Sequence, residues 1–141
     1  PIDDERVVEV ANLGGTETVL VVEDEQALRT VARRILERSG YHVLTAADGQ
    51  EALETASAHP GPIHLLLTDA VMPLMYGKEL AEHLREVRPE VPVLFMSGYA
   101  APEPGGTGLA GWGANFVEKP FSARGLAAKV REVLDRSTSP G

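Results

Sequence analysis

Short apolar runs alternate with segments of helical period along most of this chain. Val19-Leu20-Val21-Val22 is an unbroken, largely β-branched run, the pattern of a strand buried on both faces. Leu28, Val31, Ala32, Ile35 and Leu36 then recur at helical spacing and stop at Gly40, which predicts a helix with Leu28, Val31 and Ile35 in the core. Tyr41–Ala46 reads as a second strand. Asp48, with Glu51 three residues on, reads as a capping box opening a helix that carries Ala52, Leu53 and Ala56 and breaks at His59-Pro60-Gly61. Ile63–Thr68 is the expected third strand, and Leu80, Leu84 and Val87 mark a third helix ending before Pro89. Val91–Met96 and Asn115–Glu118 are expected to be the fourth and fifth strands. Ser122 can cap a last helix whose buried face is Leu126, Val130, Val133 and Leu134.

Strand-then-helix alternation of this kind predicts an α/β fold, a parallel sheet with helices on both faces, because right-handed crossovers leave few other arrangements. In such sheets ligands sit beyond the carboxyl ends of the strands. One unit is irregular. Where a fourth helix belongs, the chain reads Ala-Pro-Glu-Pro-Gly-Gly-Thr-Gly-Leu over 101–109. An interior Pro costs ~3 kcal/mol and an interior Gly ~1 kcal/mol relative to Ala, so this helix is expected to be short, displaced or irregular. Residues 1–16, polar and acidic, read as linker and 137–141 as a tail, which leaves one domain over 17–136. A chain that opens on Pro1 rather than Met is expected to be a piece of a longer or processed protein.

Composition removes several classes of function. The 141 residues suffice for one sizeable core. A net charge of −8 with no Lys/Arg stripe argues against nucleic-acid binding, which needs clustered positive charge. The absence of cysteine excludes disulfides, thiolate metal sites and Cys nucleophiles, and is compatible with a cytoplasmic protein. No apolar run approaches ~18 residues, so this domain is expected to make no membrane contact, although a parent chain could be membrane-anchored.

What remains is a set of polar residues, each placed directly after an apolar run. Glu23 and Asp24 follow the first strand, Asp69 the third, Ser97 the fourth and Lys119 the fifth. All five can converge on one sheet edge. Carboxylates 4 Å apart repel by ~4 kcal/mol per pair at an effective dielectric near 20, and a hard divalent cation relieves that repulsion. An all-oxygen set with few protein ligands suits Mg²⁺, with Mn²⁺ as a substitute, sharing coordination with a phosphate. Lys119 supplies a point charge and Ser97 a hydroxyl for phosphoryl oxygens, and Asp69 is a candidate nucleophile for phosphoryl transfer.

Four segments carry a resemblance: Val-Val-Glu-Asp-Glu at 21–25, Thr-Asp-Ala-Val-Met-Pro at 68–73, Met-Ser-Gly-Tyr-Ala at 96–100 and Val-Glu-Lys-Pro-Phe at 117–121. In this order and spacing the chain resembles response-regulator receiver domains over roughly 17–136. The resemblance implies a flavodoxin-like (βα)5 doubly wound sheet of strand order 2-1-3-4-5. It implies Asp69 as phospho-acceptor, Asp24 and Asp69 as metal ligands, Glu23 acting through water, and the Val71 backbone carbonyl completing the metal site. It further implies Ser97 and Lys119 as sensors of the phosphoryl group, Phe116 as a switch aromatic, and a cis Lys119-Pro120 peptide. The implied partner is a phosphohistidine donor, either a histidine kinase or a histidine phosphotransfer domain. Phe116 lacks the tyrosine hydroxyl often found at its position, so switching there would rest on packing. Val71 cannot hydrogen-bond a water, which leads us to expect slow self-hydrolysis of an aspartyl phosphate. The Gly/Pro-rich 101–108 stretch replaces part of what the resemblance would make the output face.

Other readings are weaker. A Mg²⁺-dependent aspartyl-phosphate phosphatase resembles D-x-D, whereas this chain has Asp69-Ala70-Val71. A flavodoxin-like cofactor binder calls for a hydroxyl-rich loop after the first strand, where Glu23-Asp24-Glu25 would repel an anion. Gly106-Thr107-Gly108-Leu109-Ala110-Gly111 matches G-x-G-x-x-G but does not directly follow a strand. His42, His59, His64 and His83 have no metal spacing and read as structural or solvent-facing, and Tyr76 and Tyr99 as packing or surface residues. Within the leading reading, the lead into the first strand and the Phe-Met-Ser-Gly-Tyr run look like receivers at the C-terminus of hybrid sensor histidine kinases, with a stand-alone regulator as the alternative. No kinase residues are present, so the fragment is not expected to be an enzyme in its own right beyond promoting its own phosphorylation and dephosphorylation.

Overall fold

In the computed structural model, residues 14–70, 75–97 and 115–138 are described. Five strands form one sheet: β1 (Thr18–Val22), β2 (His42–Ala46), β3 (Leu65–Asp69), β4 (Val93–Ser97) and β5 (Asn115–Glu118). All pairings are parallel and the spatial order is β2-β1-β3-β4-β5. The described helices are α1 (Gln26–Arg38), α2 (Gly49–Ala58), α3 (Gly77–Val87) and α4 (Ala123–Thr138). The flavodoxin-like order expected from the resemblance is therefore the order observed. The Gly/Pro-rich 101–108 stretch, Tyr99 and Val71 lie outside the described residues.

Alternation of side chains along each strand divides the core into two. Leu20, Val22, Leu66, Val93 and Phe95 face Ala52 and Ala56 of α2 and Leu80, Ala81 and Leu84 of α3. Val19, Val21, Leu65, Leu67, Leu94 and Met96 face Ala32 and Leu36 of α1 and Leu126, Val130, Val133 and Leu134 of α4. Both faces of the central strands are thus covered, which is why their sequences run apolar without a break. Asp48 caps α2 through Oδ1, which accepts the Glu51 N–H at 2.8 Å.

Two apolar positions depart from expectation. Val31 is 45% exposed, while Ala32 and Leu36 are fully buried and Leu28 and Ile35 half-buried. Val31 sits at the edge of the stripe, and α1 rests on the sheet through Ala32 and Leu36. Val87 is 66% exposed because it ends α3, where the chain turns away toward Pro89. Strand boundaries also move, since Tyr41, Ile63 and Val91 are buried but precede the ladders they were assigned to.

The end of the sheet opposite the strands' carboxyl termini is fastened by arginines. Arg131 of α4 reaches Glu17 (Nη2–Oε2 2.7 Å), the Gly14 carbonyl and Asp135. Gly15 N–H donates to Ser39 O, and Gly40 approaches at φ +99°, where a Cβ would stand 2.6 Å from Gly15 O. Arg88 closes the neighbouring corner by donating to the carbonyls of Ala56, His59 and Gly61, each at 3.0 Å. The hydrogen bond from Arg131 holds the Glu17 carboxyl below its ordinary 4.5. A depressed carboxyl contributes stability above its unfolded-state value and loses it as pH falls through the folded value. Glu17→Gln is expected to cost about 1 kcal/mol at neutral pH, a partly exposed pair being worth little more. The deficit against the parent should close below pH ~4, read by urea unfolding across pH.

Candidate functional site

The carboxyl ends of β1, β3, β4 and β5 meet at one edge because the strands are in register. Val22 pairs with Thr68, Asp69 with Met96, and Ser97 with Glu118. Residues one step past β1 and at the ends of β3 and β4 therefore stand side by side. Main-chain bonds tie these ends together: Glu23 N–H to Ala46 O, Ala70 N–H to Met96 O, and Lys119 N–H to Ser97 O at 2.7 Å.

Glu23, Asp24 and Asp69 come together there, each offering a carboxylate oxygen within 4.8 Å of the others. Glu23 is 1% exposed, Asp69 is buried and Asp24 is exposed. The Lys119 ammonium lies between two of them, 2.6 Å from Glu23 Oε1 and 3.0 Å from Asp69 Oδ2. Glu23 Oε2 accepts the Glu25 N–H at 3.0 Å. Its other oxygen, Oε1, is buried and touches the ammonium outside hydrogen-bond geometry, so that contact is ionic. Ser97 is buried at the end of β4 beside this group. The Lys119-Pro120 peptide is cis. Phe116 is half-buried against the core, its ring centroid 5.8 Å from that of Phe95.

Burial pushes the Glu23 carboxyl up to about 7, against the pull of Lys119 and the Glu25 N–H, while Asp24 and Asp69 add to the rise. For Lys119, burial works against the charge, but the facing Glu23 and Asp69 carboxylates outweigh it and its pKa stands above the usual lysine value. The site thus holds three acids against one cation. An all-oxygen donor set with a buried oxygen lacking an aligned hydrogen bond is chemically suited to a hard divalent ion such as Mg²⁺. Among the described residues this is the only cluster of that kind. Val71, the remaining expected ligand, lies outside the described residues.

Two residues that the sequence did not single out shape the site. Arg29, in the first turn of α1, donates through Nη1 to the Glu23 carbonyl at 2.7 Å. Gly77 opens α3 against the acceptor strand, its N–H donating to Ala70 O, and a Cβ there would lie 2.4 Å from Asp69 O. The four histidines take no part. His64 Nδ1 accepts the Thr18 N–H at 2.9 Å, His83 pairs with Glu86 on the surface, and His42 is exposed. Tyr76 is largely exposed. No helix among the described residues is long and apolar enough to cross a membrane.

Comparison with known proteins bears on this arrangement. The family model of the response regulator receiver domain matches residues 19–131. The sensor kinase CckA of Brucella abortus is 38% identical over 133 residues, covering 94% of this chain but 14% of the kinase. The response regulator receiver protein CpdR of the same organism is 35% identical over 116 residues, covering 82% of this chain and 95% of CpdR. The chain also spans about half (49%) of the transcriptional regulatory protein PhoP of Bacillus subtilis. Among solved structures, the receiver domain of the hybrid histidine kinase CckA is 40% identical with a TM-score of 0.69, covering 83% of this chain and 98% of that one. The chemotaxis response regulator CheY4 of Vibrio cholerae is 31% identical with a TM-score of 0.73, over 84% and 99% of the two chains. A five-stranded sheet in the order 2-1-3-4-5, an acidic cluster at its carboxyl edge and a family match over most of the length lead to one assignment: the chain belongs to the response regulator receiver domains of two-component phosphorelays.

Proposed function

We propose that Asp69 accepts a phosphoryl group from a phosphohistidine donor, with Mg²⁺ held by Asp24, Asp69 and the Val71 carbonyl, and by Glu23 through water. The observation that carries this reading is the meeting of Glu23, Asp24 and Asp69 with Lys119 at the carboxyl edge of the sheet. Bound Mg²⁺ would neutralise charge on the phosphoryl oxygens during transfer. An Asp69 carboxylate oxygen attacks phosphorus, the N–P bond breaks, and its electron pair returns to the imidazole, which leaves after taking up a proton. Lys119 is poised to move from its two carboxylates to a phosphoryl oxygen, and the Ser97 hydroxyl to donate to another. Phe116, packed on Phe95 at the edge of the core, is the proposed aromatic switch. The 17–136 span acts as the switching unit, with 1–16 as linker and 137–141 as tail.

The partner is a histidine kinase or a histidine phosphotransfer domain. Membership of a hybrid sensor kinase is supported by the 38% identity to CckA across 94% of this chain. The stand-alone reading is favoured by CpdR, whose length this chain nearly spans. Calorimetric titration tests the site itself. One Mg²⁺ is expected to bind, and Asp24→Asn to abolish it; undiminished binding in that variant would refute the ligand assignment.

A further inference from the structure

We infer that Arg29 is a positioning residue for the acidic site, fixing the peptide that joins Glu23 to Asp24 so that both carboxylates face Asp69. The inference rests on the Mg²⁺-dependent reading above. A cation in the first turn of a helix is on the wrong end of the helix dipole, which favours negative charge there. Here Glu25 is the N-cap of α1, no acidic residue follows it in the first turn, and Arg29 stands at the close of that turn. The guanidinium's contact supplies the reason. Arg29 Nη1 donates to the Glu23 carbonyl at 2.7 Å, and Arg29 N–H donates to the Glu25 carbonyl at 3.0 Å. The second of these is the helix's own first i→i−4 bond, so the guanidinium acts on the Glu23 end of the Glu23-Asp24-Glu25 turn while the main chain of α1 holds the Glu25 end.

The rest of the turn is held just as closely. Glu23 N–H donates to Ala46 O at 3.1 Å, its Oε2 accepts the Glu25 N–H, and its Oε1 meets Lys119. The carbonyl gripped by Arg29 is the group between the buried acid and the exposed one. If that carbonyl rotates, the direction in which Asp24 leaves the strand end rotates with it. Groups behind metal ligands act in this way, and their loss typically costs 10–100-fold in metal affinity.

Charge and position predict opposite signs, so the two are separable. As a mere neighbouring cation Arg29 would repel Mg²⁺, and neutralising it would tighten binding. As a positioning group its loss loosens binding.

The test is calorimetric Mg²⁺ titration of the parent, Arg29→Met, Arg29→Gln and Arg29→Lys, with metal-free thermal unfolding of each. Expected are binding weakened about ten-fold or more in the Met variant, a smaller loss in the Gln variant, and recovery in the Lys variant, which can still reach the carbonyl. A folded Met or Gln variant that binds as tightly as the parent, or more tightly, overturns the inference. Failure of both neutral variants to fold also overturns it, since the contact would then serve the fold rather than the site. If the parent itself binds no Mg²⁺, the proposed function fails along with the inference; if the parent binds and the variants match it, only the inference fails.

Discussion

Lys119→Met is expected to destabilise the metal-free chain by about 2–4 kcal/mol while tightening its hold on Mg²⁺. In the parent one ammonium stands 2.6 Å from Glu23 and 3.0 Å from Asp69. Removing one partner of a buried ion pair costs about 3–5 kcal/mol, because the remaining charge stays out of water. Here two carboxylates lose the same cation and also face each other. Glu23 has an escape, since its carboxyl already stands at about 7 and can take a proton. That places the cost at the lower end near neutrality. The sign with pH follows. Loss of Lys119 removes a group that lowers the Glu23 pKa, so the folded-state value rises further above the unfolded one. A raised carboxyl destabilises more as pH rises toward its folded value, so the deficit against the parent should grow above pH ~7. Millimolar Mg²⁺ should recover part of the loss, because the dication takes over the neutralising role. Urea unfolding on either side of neutrality, with and without Mg²⁺, checks all three; a variant as stable as the parent in metal-free buffer would contradict the ion triad.

Gly77→Ala is the second large effect. Alanine within a helix ordinarily gains ~1 kcal/mol over glycine. At this position the added Cβ would lie 2.4 Å from Asp69 O and 3.2 Å from Ala70 Cα. Both are main chain, held by β3 and by the Gly77 N–H to Ala70 O bond, so neither can swing aside. The helix start or the acceptor strand must shift, at the ~1–3 kcal/mol typical of overpacking. Gly49→Ala is the matched control. Its Cβ would meet Met75 Sδ at 2.4 Å, the far part of a flexible side chain that can repack. We expect a clear loss of stability for Gly77→Ala, with weakened Mg²⁺ binding because Asp69 moves, and less than ~1 kcal/mol for Gly49→Ala. Equal effects in the two variants would show that contact with the acceptor strand is not what requires glycine.

The two glycines illustrate where the sequence stops being legible. Strands read well because β1, β3 and β4 are covered on both faces, which forces unbroken apolar runs such as Val19–Val22. The acidic cluster was legible for a related reason: polar residues directly after such runs must emerge at the carboxyl edge, where Glu23, Asp24 and Asp69 do meet. Periodicity failed at the margins of helices. Val31 fits the stripe but lies one residue to the side of Ala32, on which α1 rests, and Val87 keeps the spacing past the point where α3 has a neighbour. Arg29 was invisible because its target is a main-chain carbonyl, which has no sequence signature, and its spacing suits a surface helix equally well. Gly77 is required by the close approach of the Asp69–Ala70 main chain, which leaves no mark in the sequence around position 77. Lys119 was placed on the site by its strand, but its bridge to Glu23 as well as Asp69 depends on the burial of Glu23, which no local pattern records.

Every role proposed for the acidic edge depends on Asp69 taking up a phosphoryl group with help from a divalent ion. The direct measurement is treatment of the chain with acetyl phosphate, borohydride reduction of any acyl phosphate to homoserine, and peptide mass spectrometry. Homoserine is predicted at position 69 alone, formed with Mg²⁺ and lost with a chelator or in Asp69→Asn. Homoserine at another acidic residue, or equal labelling of position 69 in the presence of the chelator, would contradict it.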